Sequence, residues 1–506
     1  MPTVNDIPSA RSRTAKSIAW NYAGYLYQIG INLGLTYYIV RRVSVAEYGL
    51  LLFVMSLSGT LYLLDAGISN VLVQAYVEAL SGSDQYRPTT LLSTAFLALA
   101  ALGSLGALIL IAVGFCLPGP FNIPQGYLRE AFIIFVIAGL IVQVSFPSMA
   151  LEHLFQAIHR FDRINQIQLA CSTIQAVLSI LALAAGFGIV ALASTQLIAA
   201  IIRLLCFVAA RPKTLPHARL SFTNISWSLF QPLLKLSRWA FLNNISTYLF
   251  DLFVWMVLGS LGSMQEAALF GLAGKPPKQL WNVIDKGAGV ALPTLSAANT
   301  KNDLRGLQET YLKMQSVIFG AIVPFILLGC VFARPLIEVW AGSRYLGAAA
   351  VMRWLLVAAL AHAITYSSDL LLYACADVKQ AAIIASWSGA MGIVCALALV
   401  SRFGAAGMAA GIALSQLLVN CPWFTVAACR RSQISLARLL RALLRGLGLP
   451  LFVLTVEIAI VWSLLPRLSP VSILLGATAS GLVYLAIWGA RTAHLLYRSQ
   501  PGTAAP

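Results

Sequence analysis

Fourteen apolar runs follow one another along this chain, each about long enough to cross the roughly 30 Å hydrocarbon core of a bilayer. They lie at 17–40, 46–76, 90–116, 129–156, 164–186, 188–210, 237–260, 266–297, 312–333, 346–375, 379–400, 404–428, 446–465 and 470–492. Lipid cannot satisfy backbone polar groups, so each run must close its own hydrogen bonds as a helix. Short loops with Gly, Pro or Ser separate most of them. Charged residues make up only 10% of the 506, where a soluble protein carries about 25%. The fold class is therefore all-α: a polytopic membrane protein of about 14 transmembrane helices with no soluble domain. The net charge of +17 raises the question of nucleic acid. However, the basic residues sit in clusters between the runs. With the N-terminus cytoplasmic, 22 Lys and Arg fall on the cytoplasmic side and 7 on the other. That is the positive-inside pattern, with both termini inside and no nucleic acid partner. The eight cysteines show no CxxC or Cys/His spacing. They read as small buried residues, and no metal or cofactor is expected.

The runs divide into two related sets. A spacing of 27 positions separates Trp20 from Glu47 and again Trp239 from Glu266. Glu47 to Asp65 is 18 positions and Glu266 to Asp285 is 19. Gln196 to Arg211 and Gln416 to Arg431 are both 15. Six spans separate equivalent points, so the halves share one orientation and relate by an axis along the membrane normal. The expected organisation is a tail at 1–15, an N-lobe at 16–210 (spans 1–6) and a linker at 211–236. A C-lobe follows at 237–428 (spans 7–12), then a basic linker at 429–445, spans 13–14 at 446–492 and a tail at 493–506. The two pseudo-symmetric six-helix lobes enclose a central cavity. The basic linker has the makings of an amphipathic helix on the inner leaflet.

One run departs from the apolar rule. Residues 266–299 carry Lys275, Lys278, Asp285 and Lys286, and contain the pair Pro276-Pro277. Proline lacks the backbone donor and clashes with the preceding turn, which predicts a break near Lys275. From there Lys275, Lys278, Asn282 and Lys286 fall at i, i+3, i+7 and i+11, one polar stripe on a helix. Each charge costs roughly 2.5–3.5 kcal/mol to insert, so the stripe faces protein or a wet cavity rather than lipid. Snorkelling to headgroups is the plainer alternative for Lys275 and Lys278. Arg203 and Arg353 are the other cations inside spans, and Asp65, Asp251 and Asp369 join Asp285 as intramembrane acids. A lone histidine such as His362 is more often a packing residue than a proton carrier.

The segment RRVSVAEYGLLLFVMSLSGTLYLLDAGISNVLVQA at 41–75 resembles the start of the Wzx-type polysaccharide (O-antigen) flippases, within the multidrug/oligosaccharidyl-lipid/polysaccharide exporter superfamily. The likeness rests on Glu47-Tyr48-Gly49 and Asp65-Ala66-Gly67-Ile68, with a second echo in FQAIHRFDRINQ at 155–166. The resemblance implies a lobed bundle around a cationic cavity that opens alternately to each side. It implies transport of polyprenyl-pyrophosphate-linked oligosaccharide across the bacterial cytoplasmic membrane, with polysaccharide synthesis proteins as partners. Such a substrate needs cations for its phosphates, and Lys275, Lys278, Lys286, Arg353 and Arg203, with Asn282, are the candidates to bind it. Asp65, Asp251, Asp285 and Asp369 are candidates for proton or sodium coupling, or for gating. No GxxxxGK[ST] phosphate loop is present, which disfavours an ATP-driven pump. A polysaccharide polymerase or ligase needs a sizeable outer loop bearing acid/base groups, and the loops are short, so the chain does not read as an enzyme. A multidrug antiporter shares the architecture, but the lysine stripe argues against a cavity for cationic drugs.

Overall fold

The computed structural model describes residues 10–65, 67–80, 87–116, 119–214, 220–221, 225–227, 248–289, 291–444, 447–464 and 469–498. Most of the expected linker at 211–236, Trp239 and the start of the seventh run, and the end of the C-terminal tail lie outside the described residues. The chain divides into two compact units, Met1–Gln265 and Glu266–Pro506. Among the described residues there are no strands. Among those residues nine helices are long and apolar enough to cross a membrane, or ten if one bent pair counts as a single span.

The first unit contains α1 (Ala10–Arg42), α2 (Val45–Thr60), α3 (Ile68–Leu80), α4 (Pro88–Cys116), α5 (Leu128–Ala157), α6 (Phe161–Ala184) and α7 (Ile189–Thr214), then α8 (Tyr248–Ser260). α1 starts at Ala10, inside the stretch expected to be a tail at 1–15. α2 opens with a capping box. The Ser44 hydroxyl accepts from Glu47 N, and the Glu47 carboxylate accepts from Ser44 N at 2.7 Å. Two otherwise orphaned donors are satisfied, which fixes the role of the Glu seen at the start of this span. The run at 46–76 is a broken span. α2 tightens into a 3-10 turn at Leu61–Asp65 and restarts as α3 after Gly67, whose φ of 75° suits glycine.

α5 is the hub of this unit, packing against α2, α3, α4, α6 and α7. With little hydrophobic force between helices in lipid, close backbone approach holds them together. α4 meets α5 at Gly139, where an added Cβ would lie 3.1 Å from the Ala107 carbonyl oxygen.

The second unit contains α9 (Met264–Gly289), α10 (Leu292–Thr300), α11 (Leu304–Val331), α12 (Ala333–Ala341), α13 (Ala348–Ala374), α14 (Val378–Ser415), α15 (Cys421–Ser432), α16 (Leu436–Leu444), α17 (Gly448–Leu464) and α18 (Pro470–Arg498). α13 is its hub, packing against α10, α11, α12, α14 and α15. α14 folds back on itself at Gly404 (φ 55°, ψ −135°). Its two arms approach closely enough that a Cβ on Gly411 would strike the Ala396 backbone. The first arm is the run expected at 379–400, and the second, continued by Gln416–Asn420 and α15, is the run expected at 404–428.

Two backbone turns recur between the units at nearly the spacing of the sequence repeat. His159 and Ala376, 217 positions apart, both have positive φ (55° and 59°) at the ends of the two hub helices. Gly186 and Gly404, 218 apart, both have positive φ at the following turn. Non-glycine residues seldom adopt this conformation, so the His159–Ala376 match carries more weight than a single matched side chain.

Two expectations need correction. α9 does not break at Pro276-Pro277; it runs through both to Gly289. Proline's φ is itself helical, and what it removes is the bond to the carbonyl one turn back. The interruption comes instead between Gly289 and Leu292. The cysteines are not uniformly buried either. Cys171 and Cys375 are, but Cys116 is exposed and the other five are intermediate. In a bilayer the outer face of a helix is also apolar, so a small thiol has no need of the protein interior.

Candidate functional site

The polar face of α9 carries the site in the second unit. At about 100° per residue, Lys278, Asn282, Lys275, Lys286, Asp285 and Trp281 share an arc of roughly 140°. The opposite side, with Ala273, Pro277 and Ile284, is buried. One edge of the polar arc lies against α13. An added Cβ on Gly274 would be 3.7 Å from Leu355. Two turns further on, the Trp281 ring stacks on His362, with centroids 4.4 Å apart and planes at 11°. Beyond it, Asp285 Oδ1 lies 3.0 Å from His362 Nε2. The Tyr366 ring tilts against His362 at 5.2 Å. Asp369, one turn along α13, is within electrostatic reach of Asp285. Asp285 and Asp369, expected separately from sequence, therefore belong to one cluster organised by His362.

Beside this ridge runs the cationic stripe. Lys278 is exposed, and Lys275 and Asn282 are half-buried. The side chain of Lys286 lies outside the described residues. The arrangement offers a cationic strip next to an aromatic and acid–histidine ridge. It can hold an anion, stack against a flat group, and relay charge through a hydrogen-bonded pair.

Arg353 sits nine residues before His362 on α13, about 14 Å along the helix. It is exposed, and its Nε donates to the Cys330 carbonyl at 2.9 Å. It is not part of the α9 cluster.

The remaining candidates lie in the first unit. Asp65 is buried at the helix break, and its carboxylate accepts from Ser69 N at 3.2 and 3.3 Å, closing the start of α3. It is within electrostatic reach of His153 on α5. Tyr248 lies within reach of Asp65, Tyr62 and Asp251 together. Arg203 Nη2 donates to Ser145 Oγ at 3.1 Å, and its buried Nε has no hydrogen-bond partner among the described residues. Each unit thus brings an acid on its broken second span towards a histidine on its hub helix.

His362 and Tyr366 did not stand out from sequence as site residues. The signal was there: His362, Tyr366 and Asp369 fall at i, i+4 and i+7, one face of a helix in an otherwise apolar run.

This fold is that of transporters in the superfamily the sequence resembles. An inward-facing multidrug resistance MATE family transporter of the MOP superfamily superposes with a TM-score of 0.68 at 15% identity, covering 80% of this chain and 94% of that one. The lipid II flippase MurJ in an inward closed conformation gives 0.73 at 14% identity, over 95% of this chain and 100% of the other. A MOP superfamily transporter from Pyrococcus furiosus, described as having a binding pocket of reverse polarity that suggests a different function, gives 0.57 at 14%, over 81% and 93%. No curated protein sequence matches. A family model described as polysaccharide biosynthesis protein matches residues 39–350, which include both segments that carry the resemblance. The chain is a multi-pass membrane protein with the MOP-type fold, and it belongs to this family of polysaccharide biosynthesis proteins.

Proposed function

We propose that the protein is a flippase for polyprenyl-pyrophosphate-linked oligosaccharide, working by alternating access in the bacterial cytoplasmic membrane with both termini inside. It moves repeat units outward for cell-surface or extracellular polysaccharide assembly. It acts as a carrier rather than an enzyme, alongside the synthesis proteins for the same polymer. The observation that supports this reading best is the cationic face of α9, Lys275 and Lys278 with Asn282, set directly beside the Trp281–His362–Asp285 ridge. A pyrophosphate is attracted to the lysines, and that attraction strengthens away from bulk water. Trp281 and Asn282 offer a stacking surface and an amide to the sugar. The Asp285–His362 pair, with Asp369, couples a proton or sodium ion to the cycle. Lys286 and Arg353 are further phosphate-binding candidates in the second unit; in the first, Arg203 is a phosphate-binding candidate and Asp65 and Asp251 are coupling or gating candidates.

The test is flipping of a fluorescent polyprenyl-pyrophosphate oligosaccharide in proteoliposomes. Outward movement by the wild type supports the reading. Export of cationic drugs without movement of any lipid-linked glycan would assign the chain to the multidrug branch instead.

A further inference from the structure

Helix α16 has three different faces. Leu439 and Leu443 are buried (1% and 6% exposed) on the side that packs against α11. Polar bonds fix this docking. Gln308 Nε2 donates to the Ser432 carbonyl at 2.8 Å, Arg438 donates to Gln308 Oε1 at 3.0 Å, and Ser316 Oγ donates to the Ala442 carbonyl at 2.7 Å. About 60–100° round the helix, Leu436, Leu440 and Leu444 form a second apolar stripe. They are 51%, 49% and 63% exposed among the described residues. On the third side lie Arg438 and Arg441, both exposed. Arg430 and Arg431, exposed at the end of α15, add to the same charge. No Asp or Glu occurs between Asp377 and Glu457, and none of the four arginines is in an ion pair among the described residues. Where α15 turns into α16, a groove of about 390 Å³ runs between Val426, Ile434 and Leu436, with Arg430 at its edge.

A helix held to the protein on one face, apolar on the next and cationic on the third lies in the plane of a membrane interface. We infer that α15 and α16 form a binding site for an anionic phospholipid of the adjacent leaflet. Its acyl chain lies along Leu436, Leu440, Leu444 and the groove, and its phosphate is met by Arg430, Arg431 and Arg441. Charge complementarity favours an anionic over a zwitterionic headgroup. The leucine stripe favours a lipid over a soluble phosphate compound. The site is separate from the α9 face and does not depend on the flippase reading.

The experiment uses purified full-length protein in detergent, with lipid retention read by native mass spectrometry. Phosphatidylglycerol and phosphatidylcholine of equal chain length are the probes. The wild type retains phosphatidylglycerol preferentially. Arg430→Gln combined with Arg441→Gln, which breaks none of the bonds above, weakens its retention by about 30-fold, roughly fivefold per arginine near an anionic surface. Leu440→Ser with Leu444→Ser weakens retention of both lipids. For the unaltered protein, raising the salt from 0.1 to 0.5 M weakens phosphatidylglycerol retention alone. Equal retention of the two lipids by the wild type, or unchanged retention in the arginine variant, overturns the inference. So does displacement of phosphatidylglycerol by lower concentrations of polyprenyl pyrophosphate, which would make this a substrate site.

Discussion

Gly404 and Glu266 make a quantitative test of how the second unit is built. Gly404 has φ 55° and ψ −135°, a region that residues with a side chain avoid at a cost of about 1–3 kcal/mol. The Glu266 carboxylate occupies the space where a Cβ would go and accepts from the Ala405 backbone N–H. Losing a hydrogen bond to a charged acceptor costs about 1.5–3 kcal/mol. Gly404→Ala therefore destabilises by roughly 3–6 kcal/mol in the wild-type background. In a Glu266→Ala background the collision is absent, and the same change costs only the backbone term, about 1–3 kcal/mol. Gly186, the repeat equivalent (φ 82°), has open space around its missing Cβ, so Gly186→Ala costs about 1–2 kcal/mol. The assay is thermal unfolding in detergent, followed by loss of the monodisperse peak. At roughly 2–4 °C per kcal/mol, Gly404→Ala lowers the midpoint by about 10 °C, and several degrees of that return when Glu266 is absent. Strict additivity of the two substitutions, or equal shifts at Gly186 and Gly404, would refute the reasoning.

Three further outcomes follow from the same geometry. Gly139→Val forces α4 off α5 at the Ala107 backbone, and the overpacking lowers stability by about 1–3 kcal/mol in the same thermal assay. Asp65→Ala strands the Ser69 N–H at the start of α3 and costs about 1–3 kcal/mol, while Asp65→Asn keeps an acceptor and loses less. A transport rate that follows stability across this pair fits a structural Asp65; loss of transport in a fully stable Asp65→Asn variant assigns it a coupling role. His362→Phe keeps an aromatic surface for Trp281 but removes the partner of Asp285, so flipping driven by an ion gradient falls at least tenfold while the thermal midpoint moves by only a few degrees.

Membrane class, helical runs and the twofold repeat were legible because lipid imposes one rule on every span. Length and apolarity alone then locate helices such as α4, α5 and α13. The halves matched at Glu47 and Glu266, and the structure shows why a carboxylate helps at that point. Glu47 closes a capping box, and Glu266 reaches the turn of the α14 hairpin. The Pro276-Pro277 reading failed because proline's local penalty is a tendency that tertiary packing overrides. The actual breaks follow Asp65 and Gly289, where sequence gives weaker signals. The lysine stripe and Asp285 were legible as helical periodicity. Their meeting with His362 was not, because it joins residues 77 positions apart, and the i, i+4, i+7 spacing of His362, Tyr366 and Asp369 marks a face of α13 without saying what packs on it.

The cationic face of α9 is tested most directly by reversing its charge. Lipid-linked oligosaccharide flipping is measured in proteoliposomes for the wild type, for Lys275→Arg with Lys278→Arg, and for Lys275→Glu with Lys278→Glu, at matched amounts of folded protein. If pyrophosphate travels along this face, the arginine pair retains most of the rate, and the glutamate pair abolishes flipping while leaving the thermal midpoint within a few degrees. Wild-type flipping by the glutamate pair would contradict the assignment and move the phosphate path elsewhere in the protein.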